Sequence, residues 1–275
     1  MTLVAPAPAQ IRRDRRSPLA SFALQLRIIG ALMMRDGSAR YGHENLGFFW
    51  VMGEPLILTV GVMGMWKMTG ATHGHGDIGL VPFALTGYSC ITLWRHVAGA
   101  APHRIRQNVG LLFHRNIRVV DILVARALLE TISIMTAFFI AYIPLALLGF
   151  IMPIRDPLVF FGAWLLHAWF SLGVSMIFAA SSEMYEAVER FVPPIMYITL
   201  PLTGAFYMLY WLPMGLRKAA LWSPLVNSQE MFRGGLFPES IPTYWSVWYL
   251  LAWCIGLTAI GLPMVSAAQK HVTME

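Results

Sequence analysis

The stretch VVDILVARALLETISIMTAFFIAYIPLALLGF, Val119–Phe150, decides the fold class. A helix crossing a bilayer core of about 30 Å needs roughly 20 apolar residues. This run exceeds that length and carries only Asp121, Arg126 and Glu130 as charges. Working outward from it, five further runs have the same character: Trp50–Thr69, Leu80–Ala101, Leu158–Ser181, Pro194–Leu212 and Tyr244–Ser266. Of the 275 residues, 57% are hydrophobic and only 12% charged. A water-soluble globule cannot enclose so much apolar surface, and intrinsic disorder needs the opposite bias. The pattern predicts an all-α integral membrane protein with six transmembrane helices.

Basic residues predict its orientation. With both termini cytoplasmic, thirteen of the 20 lysines and arginines lie inside and four outside, the other three falling within spans. The net charge of +6 therefore reads as a topology signal, with no nucleic acid as partner. The N-terminal arm, rich in arginine from Arg12 to Arg16, lacks a small-residue cleavage site and predicts no cleaved signal peptide. Pro18–Arg35 is apolar enough to resemble a further span, but Arg27 sits near its middle and basic residues flank both ends. Ser17-Pro18 reads as a helix start, and Leu19, Phe22, Leu26, Ile29 and Met33 recur on one helical face. This predicts an amphipathic helix lying in the cytoplasmic interface, in contact with membrane lipid. The organisation that follows is a tail at 1–17, an interfacial helix and connector at 18–45, and a six-span unit at 46–275. A cytoplasmic loop occupies 102–118. On the outer side, 213–243 mixes apolar residues with Pro, Gly and charge, and predicts short re-entrant or surface-lying helices. Ser223-Pro224 starts one of these and Gly234-Gly235 ends it.

Several kinds of chemistry are excluded or weak. No segment fits G-x-x-x-x-G-K-[ST], and none of the three lysines follows a glycine-rich loop, so this sequence lacks an ATPase phosphate cradle. His73, His75 and Asp77 alternate in the first outer loop, but without a complete ligand set they read as a flexible polar turn, not a metal site. Cys90 and Cys254 lie in separate apolar runs and form no C-x-x-C motif. His167, Ser171 and Ser175 share a helical face without an activating third group, which reads as packing and not as a catalytic site.

Charges and aromatic rings at bilayer depth carry more information, because ionisable groups there usually face a cavity or a partner. Glu54 precedes Pro55 in the first span, and Arg95 lies near the inner end of the second. Arg126 and Glu130, four residues apart, can form an ion pair, structural or coupling in role. Aromatic residues offer an apolar face with a polar edge, a surface suited to sugar rings. The residues predicted to line a passage are Trp50, Glu54, Tyr88, Trp94, Arg95, Tyr197, Phe206, Tyr207 and Tyr210.

Four segments then resemble the ABC-2 type permeases, and within them the capsular-polysaccharide export permeases of Gram-negative bacteria. Arg40-Tyr41, Leu46–Trp50 and Glu54-Pro55-Leu56 are similar to the family's approach to its first span. Leu112–Asn116, Asp121 and Leu123–Glu130 resemble its most subgroup-specific stretch. Thr203–Tyr207 with Leu212-Pro213 resembles its turn into the outer region. Ser223-Pro224-Leu225 with Glu230, Phe232 and Arg233 resembles its N-P-L…E-x-F-R signature, with Ser in place of the commoner Asn.

The resemblance implies a half-transporter moving lipid-linked capsular polysaccharide across the bacterial inner membrane. It implies two copies of this chain and a dimer of a separate nucleotide-binding ATPase, which holds ATP and Mg; this chain binds no cofactor. A periplasmic co-polymerase and an outer-membrane export channel are implied as further partners. By the same resemblance, Arg104, Arg106, Gln107, Arg115 and Glu183 face the ATPase. Glu186, Glu189 and Arg190 lie in the same short loop, which also reads as a plain solvated turn. Exporters of O-antigen, teichoic acid or another glycolipid share this architecture, and an ion-coupled secondary transporter is the remaining transport alternative.

Overall fold

The computed structural model describes residues 18–41, 79–112 and 117–272. The predicted first span, the His73–Asp77 turn, Trp50, Glu54 and Arg115 lie outside them. Among the described residues the fold is all-helical: α1 (Pro18–Tyr41), α2 (Leu80–Trp94), the short α3 (Arg104–Gln107) and α4 (Val109–Leu112), then α5 (Val119–Leu147), α6 (Pro157–Met184), α7 (Glu186–Thr199), α8 (Met214–Ala220), α9 (Pro224–Leu236) and α10 (Val247–Val272). Three of these, α5, α6 and α10 as far as Lys270, are long and apolar enough to cross a membrane. Ile132, Phe161, Leu165, Ile255 and Ile260 point outward from them, apolar side chains on a surface that suits lipid and not water.

Local sequence sets the helix ends. Asp156 accepts from the Val159 N–H at 3.1 Å and Pro157 occupies the first turn, so α6 starts there. Asp121 accepts from the Arg118 N–H at 2.9 Å and from the Gln25 side chain, which fixes the start of α5 against α1. Ser223 caps α9 through Val226, as its Ser-Pro pair predicts, but α9 runs past the glycines to Leu236. The middle of the bundle is aromatic: Phe160 and Phe232 stack at 4.4 Å, with Phe138 and Trp164 around them. Against α10, α6 brings Gly173 so close that a Cβ there would lie 2.8 Å from Leu257, a close approach that small residues permit between membrane helices.

Three further expectations need correction. The fifth apolar run is not one helix over 194–212. Helix α7 begins eight residues earlier, at Glu186, runs through Pro193-Pro194 to Thr199, and passes through a 3₁₀ turn to a break at Gly204, whose φ is +74°. The apolar run located the hydrophobic part, whereas the helix also uses the polar residues before it. The turn expected around 183–190 shrinks to Tyr185, because Glu186 and Glu189 lie in the first turn of α7, where carboxylates suit the helix dipole. Finally, the apolar stripe of α1 divides. Ile29 and Met33 pack on the bundle with Leu32, while Phe22 and Leu26 point away from it. The buried side is set by where α1 meets α5, which spacing alone cannot reveal.

Candidate functional site

Between α2 and α7 the backbone opens two adjoining cavities. After Trp94, α2 widens into a π-turn over Arg95–Gly99, a local insertion that re-aims side chains. One cavity, of about 300 Å³, is lined by Thr92, Arg95, His96, Met196, Tyr197 and Leu200. The other, of about 160 Å³, is more apolar and lies along the earlier turns of α2, lined by Ala84, Tyr88, Ile91, Arg95, Leu200 and Phe206. Arg95 and Leu200 belong to both. Arg95 is exposed and meets no carboxylate at ion-pair distance among the described residues.

The π-turn also places His96, whose Nδ1 lies 3.2 Å from Glu130 of α5. Glu130 is fully buried and takes Arg126 as a second partner, so a carboxylate at bilayer depth is paired from two sides. The Arg126–Glu130 pair follows from four-residue spacing on α5; the link to His96 spans 34 residues and is a tertiary feature.

Outside these cavities, α9 acts as a frame. Arg233 is completely buried and spreads its guanidinium over the break after α7. It donates to the carbonyls of Gly204 at 2.8 Å, Ala205 at 2.7 Å and Tyr207 at 2.7 Å, and lies 4.2 Å from the Phe83 ring centre. Five donors in a fixed fork suit this task, which a lysine could not perform. Glu230 accepts from the N–H groups of Leu209 at 3.0 Å and Tyr244 at 3.2 Å. Burial pushes its carboxyl above the ordinary range, while those N–H groups and Arg233 pull it back. Asn227 accepts from Ser246 at 2.9 Å. One helix thus fixes the segments on either side of it in sequence. His167 is part of the same frame: its two ring nitrogens lie 2.8 Å from Ser228 Oγ and 3.0 Å from the Cys90 carbonyl. Ser171 returns its hydroxyl to the His167 carbonyl at 2.8 Å within α6, so it is His167 that ties α6 to α2 and α9.

At the opposite end, the short helices after the π-turn meet the α6–α7 corner. Arg106 Nη1 lies 3.2 Å from Glu189, and its Nε lies 3.8 Å from Glu183. His103 Nδ1 lies 3.1 Å from Glu189, and Ser182 donates to the Pro102 carbonyl at 3.2 Å. Across α3, Arg35 of α1 donates to Asn108 at 2.7 Å. Arg35, Arg104, Gln107, Asn108 and Arg126 line an open polar hollow of about 580 Å³.

The residues predicted to line a passage therefore separate. Tyr88, Arg95, Tyr197 and Phe206 border the two cavities. Trp94 is buried, stacks on Phe170 at 5.8 Å and reaches Thr199 at 3.4 Å. Tyr207 and Tyr210 lie beyond the break, where Arg233 and Arg217 hold their backbone carbonyls. Of the residues predicted to face an ATPase, Arg106 and Glu183 meet each other, and Arg104 and Gln107 share the hollow. The sequence reading assigned no role to His96, His103 or the buried groups of α9. Ionisable residues inside otherwise apolar surroundings are the signal that could have flagged His96, Glu230 and Arg233.

The sequence matches the ABC-2 type transporter family over residues 27–237. It is 36% identical over 252 residues to the capsule polysaccharide export inner-membrane protein CtrC of Neisseria meningitidis serogroup B, spanning 92% of this chain and 95% of that one. It is 34% identical over 259 residues to the capsule polysaccharide export inner-membrane protein BexB of Haemophilus influenzae, spanning 94% and 97%. It is 25% identical over 254 residues to the polysialic acid transport protein KpsM of Escherichia coli, spanning 91% and 97%.

Proposed function

This chain belongs to the ABC-2 type transporter family, and on that footing we propose that it is the inner-membrane permease subunit of an ATP-driven exporter of lipid-linked capsular polysaccharide. The observation that carries the proposal is its likeness, over more than nine-tenths of its length, to relatives named for capsule polysaccharide export. With no phosphate-cradling loop of its own, the chain takes its power from a separate nucleotide-binding subunit that holds ATP and Mg. It makes or breaks no bond in its substrate.

The arrangement of charge supports the orientation. Arg35, Arg104, Arg106, Arg118, Arg190 and Lys270 lie toward the end that carries α1, α3 and the α6–α7 corner, and there the Val119 N–H reaches Gln269 at 3.4 Å. The other end has Arg155, Arg217 and Lys218. By the positive-inside rule, the first end faces the cytoplasm. Six spans, both termini cytoplasmic, α1 in the interface and α9 re-entrant from the periplasm complete the reading. Two copies enclose the passage, with Arg95, Tyr88, Tyr197 and Phe206 on its wall. The polymer then meets a periplasmic co-polymerase and an outer-membrane channel.

In this scheme the loop helix α3 transmits the ATPase stroke. Arg106 grips Glu189 at the start of α7, and α7 forms the far wall of the cavities, so a push on α3 is felt at Tyr197. Arg104, Gln107 and Arg35 around the hollow are the ATPase contacts. The test is deletion of the gene in its native bacterium. Polymer is expected to accumulate inside the cell, and surface capsule to return with the intact gene but not when the ATPase partner carries an inactivated phosphate-loop lysine. Normal surface capsule in the deletion strain would overturn the proposal.

A further inference from the structure

We infer that the paired cavities at Arg95 bind the anionic, acylated end of the exported glycolipid, with its charged group beside Arg95 and His96 and its chain along the outer turns of α2. This rests on the exporter reading and adds where and by what chemistry the substrate is held.

Three observations combine. First, the charge is one-sided. Among the described residues, the ionisable groups bordering the larger cavity are Arg95, His96 and the phenol of Tyr197, with no carboxylate. Glu130, the carboxylate that His96 meets, is also held by Arg126 and is fully buried. An exposed guanidinium with no carboxylate at ion-pair distance among the described residues, at a depth where ions are costly, is a site for an anion supplied from outside the chain.

Second, the two chambers differ in chemistry and share a wall. The chamber around Thr92, His96 and Tyr197 has mixed lining with a large polar share, whereas that around Ala84, Ile91, Leu200 and Phe206 is dominated by carbon. Arg95 stands at their junction. A free sugar or a free phosphate leaves the second chamber unused, while a molecule with an anionic head and an alkyl chain fits both.

Third, the order along α2 has a direction. Arg95 lies fifteen residues after Leu80, which at 1.5 Å per residue puts it about 22 Å from the outer start of the helix. In a core of about 30 Å that is the inner third. The more polar chamber faces the cytoplasmic end and the more apolar one runs toward the bilayer centre, the posture of a lipid entering from the inner leaflet.

The experiment uses the permease–ATPase complex in nanodiscs with two photoreactive probes of the same chain length, lysophosphatidic acid and the uncharged monoacylglycerol. The acidic probe is expected to label the peptides containing Ala84–Arg95 and Leu200–Phe206, and the neutral probe weakly. Arg95→Ala is expected to reduce acidic labelling about tenfold, the scale of one lost charge-assisted contact, while Arg95→Lys keeps most of it. Phe206→Ala, at a half-exposed position that does not threaten folding, is expected to reduce labelling several-fold while leaving competition by inorganic phosphate unchanged. Equal labelling by both probes, or an Arg95→Ala complex that assembles and labels normally, would overturn the site. Lipids extracted from complex purified out of polymer-making cells identify the occupant: anionic glycolipid on the wild type but not on Arg95→Ala supports the inference, and ordinary phospholipid alone contradicts it. A chain that restores capsule but fails these tests loses this site and not its exporter role.

Discussion

Arg233 Nη2 donates to the carbonyl of Ala205 at 2.7 Å, and through that bond the helix after the break holds the segment before it. The same guanidinium takes Gly204 and Tyr207, so three carbonyls at a point where helical bonding stops are satisfied by one buried side chain. This gives the E-x-F-R signature a physical content. Its arginine closes the break after α7, and its glutamate holds Leu209 and Tyr244.

Arg233→Ala is therefore expected to destabilise the protein by about 3 kcal/mol or more, since each orphaned buried acceptor costs roughly 1–3 kcal/mol. Arg233→Lys should recover little, because one ammonium cannot replace the fork. Melting of the detergent-solubilised protein, followed by size-exclusion recovery, measures both. A wild-type profile for either variant would contradict this role.

Gly87 and Gly256 form a matched pair for packing. A Cβ at Gly87 would lie 2.6 Å from the Ala205 carbonyl oxygen, a backbone atom that Arg233 already holds. Gly87→Ala should cost about 1–3 kcal/mol by overpacking. At Gly256 a Cβ meets nothing within 4 Å, so Gly256→Ala in α10 should be neutral or stabilise by up to about 1 kcal/mol. The same melting experiment compares them, and equal melting points would contradict the close approach.

What the sequence revealed and what it hid follow one physical division. Helix starts at Pro18 and Pro224, the ion pair of Arg126 with Glu130 and the all-helical class rest on local signals: caps, four-residue spacing and apolar run length. The contacts that build the site join residues far apart in the chain. His96 meets Glu130, Arg106 meets Glu189 and Arg233 meets Gly204, none of which any spacing rule contains. The division of the α1 stripe has the same cause, since only the partner decides which apolar side chains are covered. The apolar run at 194–212 misplaced the fifth helix because hydropathy marks membrane depth, not helix bounds.

Arg106 and Glu189 should matter more for coupling than for stability. The pair is partly exposed at 3.2 Å, and such pairs contribute about 0–1 kcal/mol. Arg106→Glu or Glu189→Arg alone is expected to leave the complex assembled and hydrolysing ATP while export falls about tenfold. The double exchange should restore much of it. The ratio of polymer exported to ATP hydrolysed is the measurement, and unchanged ratios in both single variants would rule out transmission through this contact.

His167→Ala should act as a packing loss. It removes the side-chain partner of the Cys90 carbonyl and one of the two partners of Ser228 Oγ, which keeps its bond to the Leu225 carbonyl at 2.9 Å, at an expected cost of about 1–3 kcal/mol. His167→Gln, which keeps a donor and an acceptor, should be milder. Export per folded molecule is expected to be preserved in the glutamine variant with an unaltered pH profile. A lost or pH-shifted rate with normal melting would instead assign His167 to proton transfer.

The most direct test of the permease account is translocation in proteoliposomes. Purified permease and its ATPase are reconstituted, a radiolabelled lipid-linked polymer is added, and label protected from an added glycosidase is counted. Protection is expected only with both subunits and hydrolysable ATP, and is expected to disappear when the ATPase carries a disabled phosphate loop. Protection by the permease alone, driven by an ion gradient without nucleotide, would contradict the account.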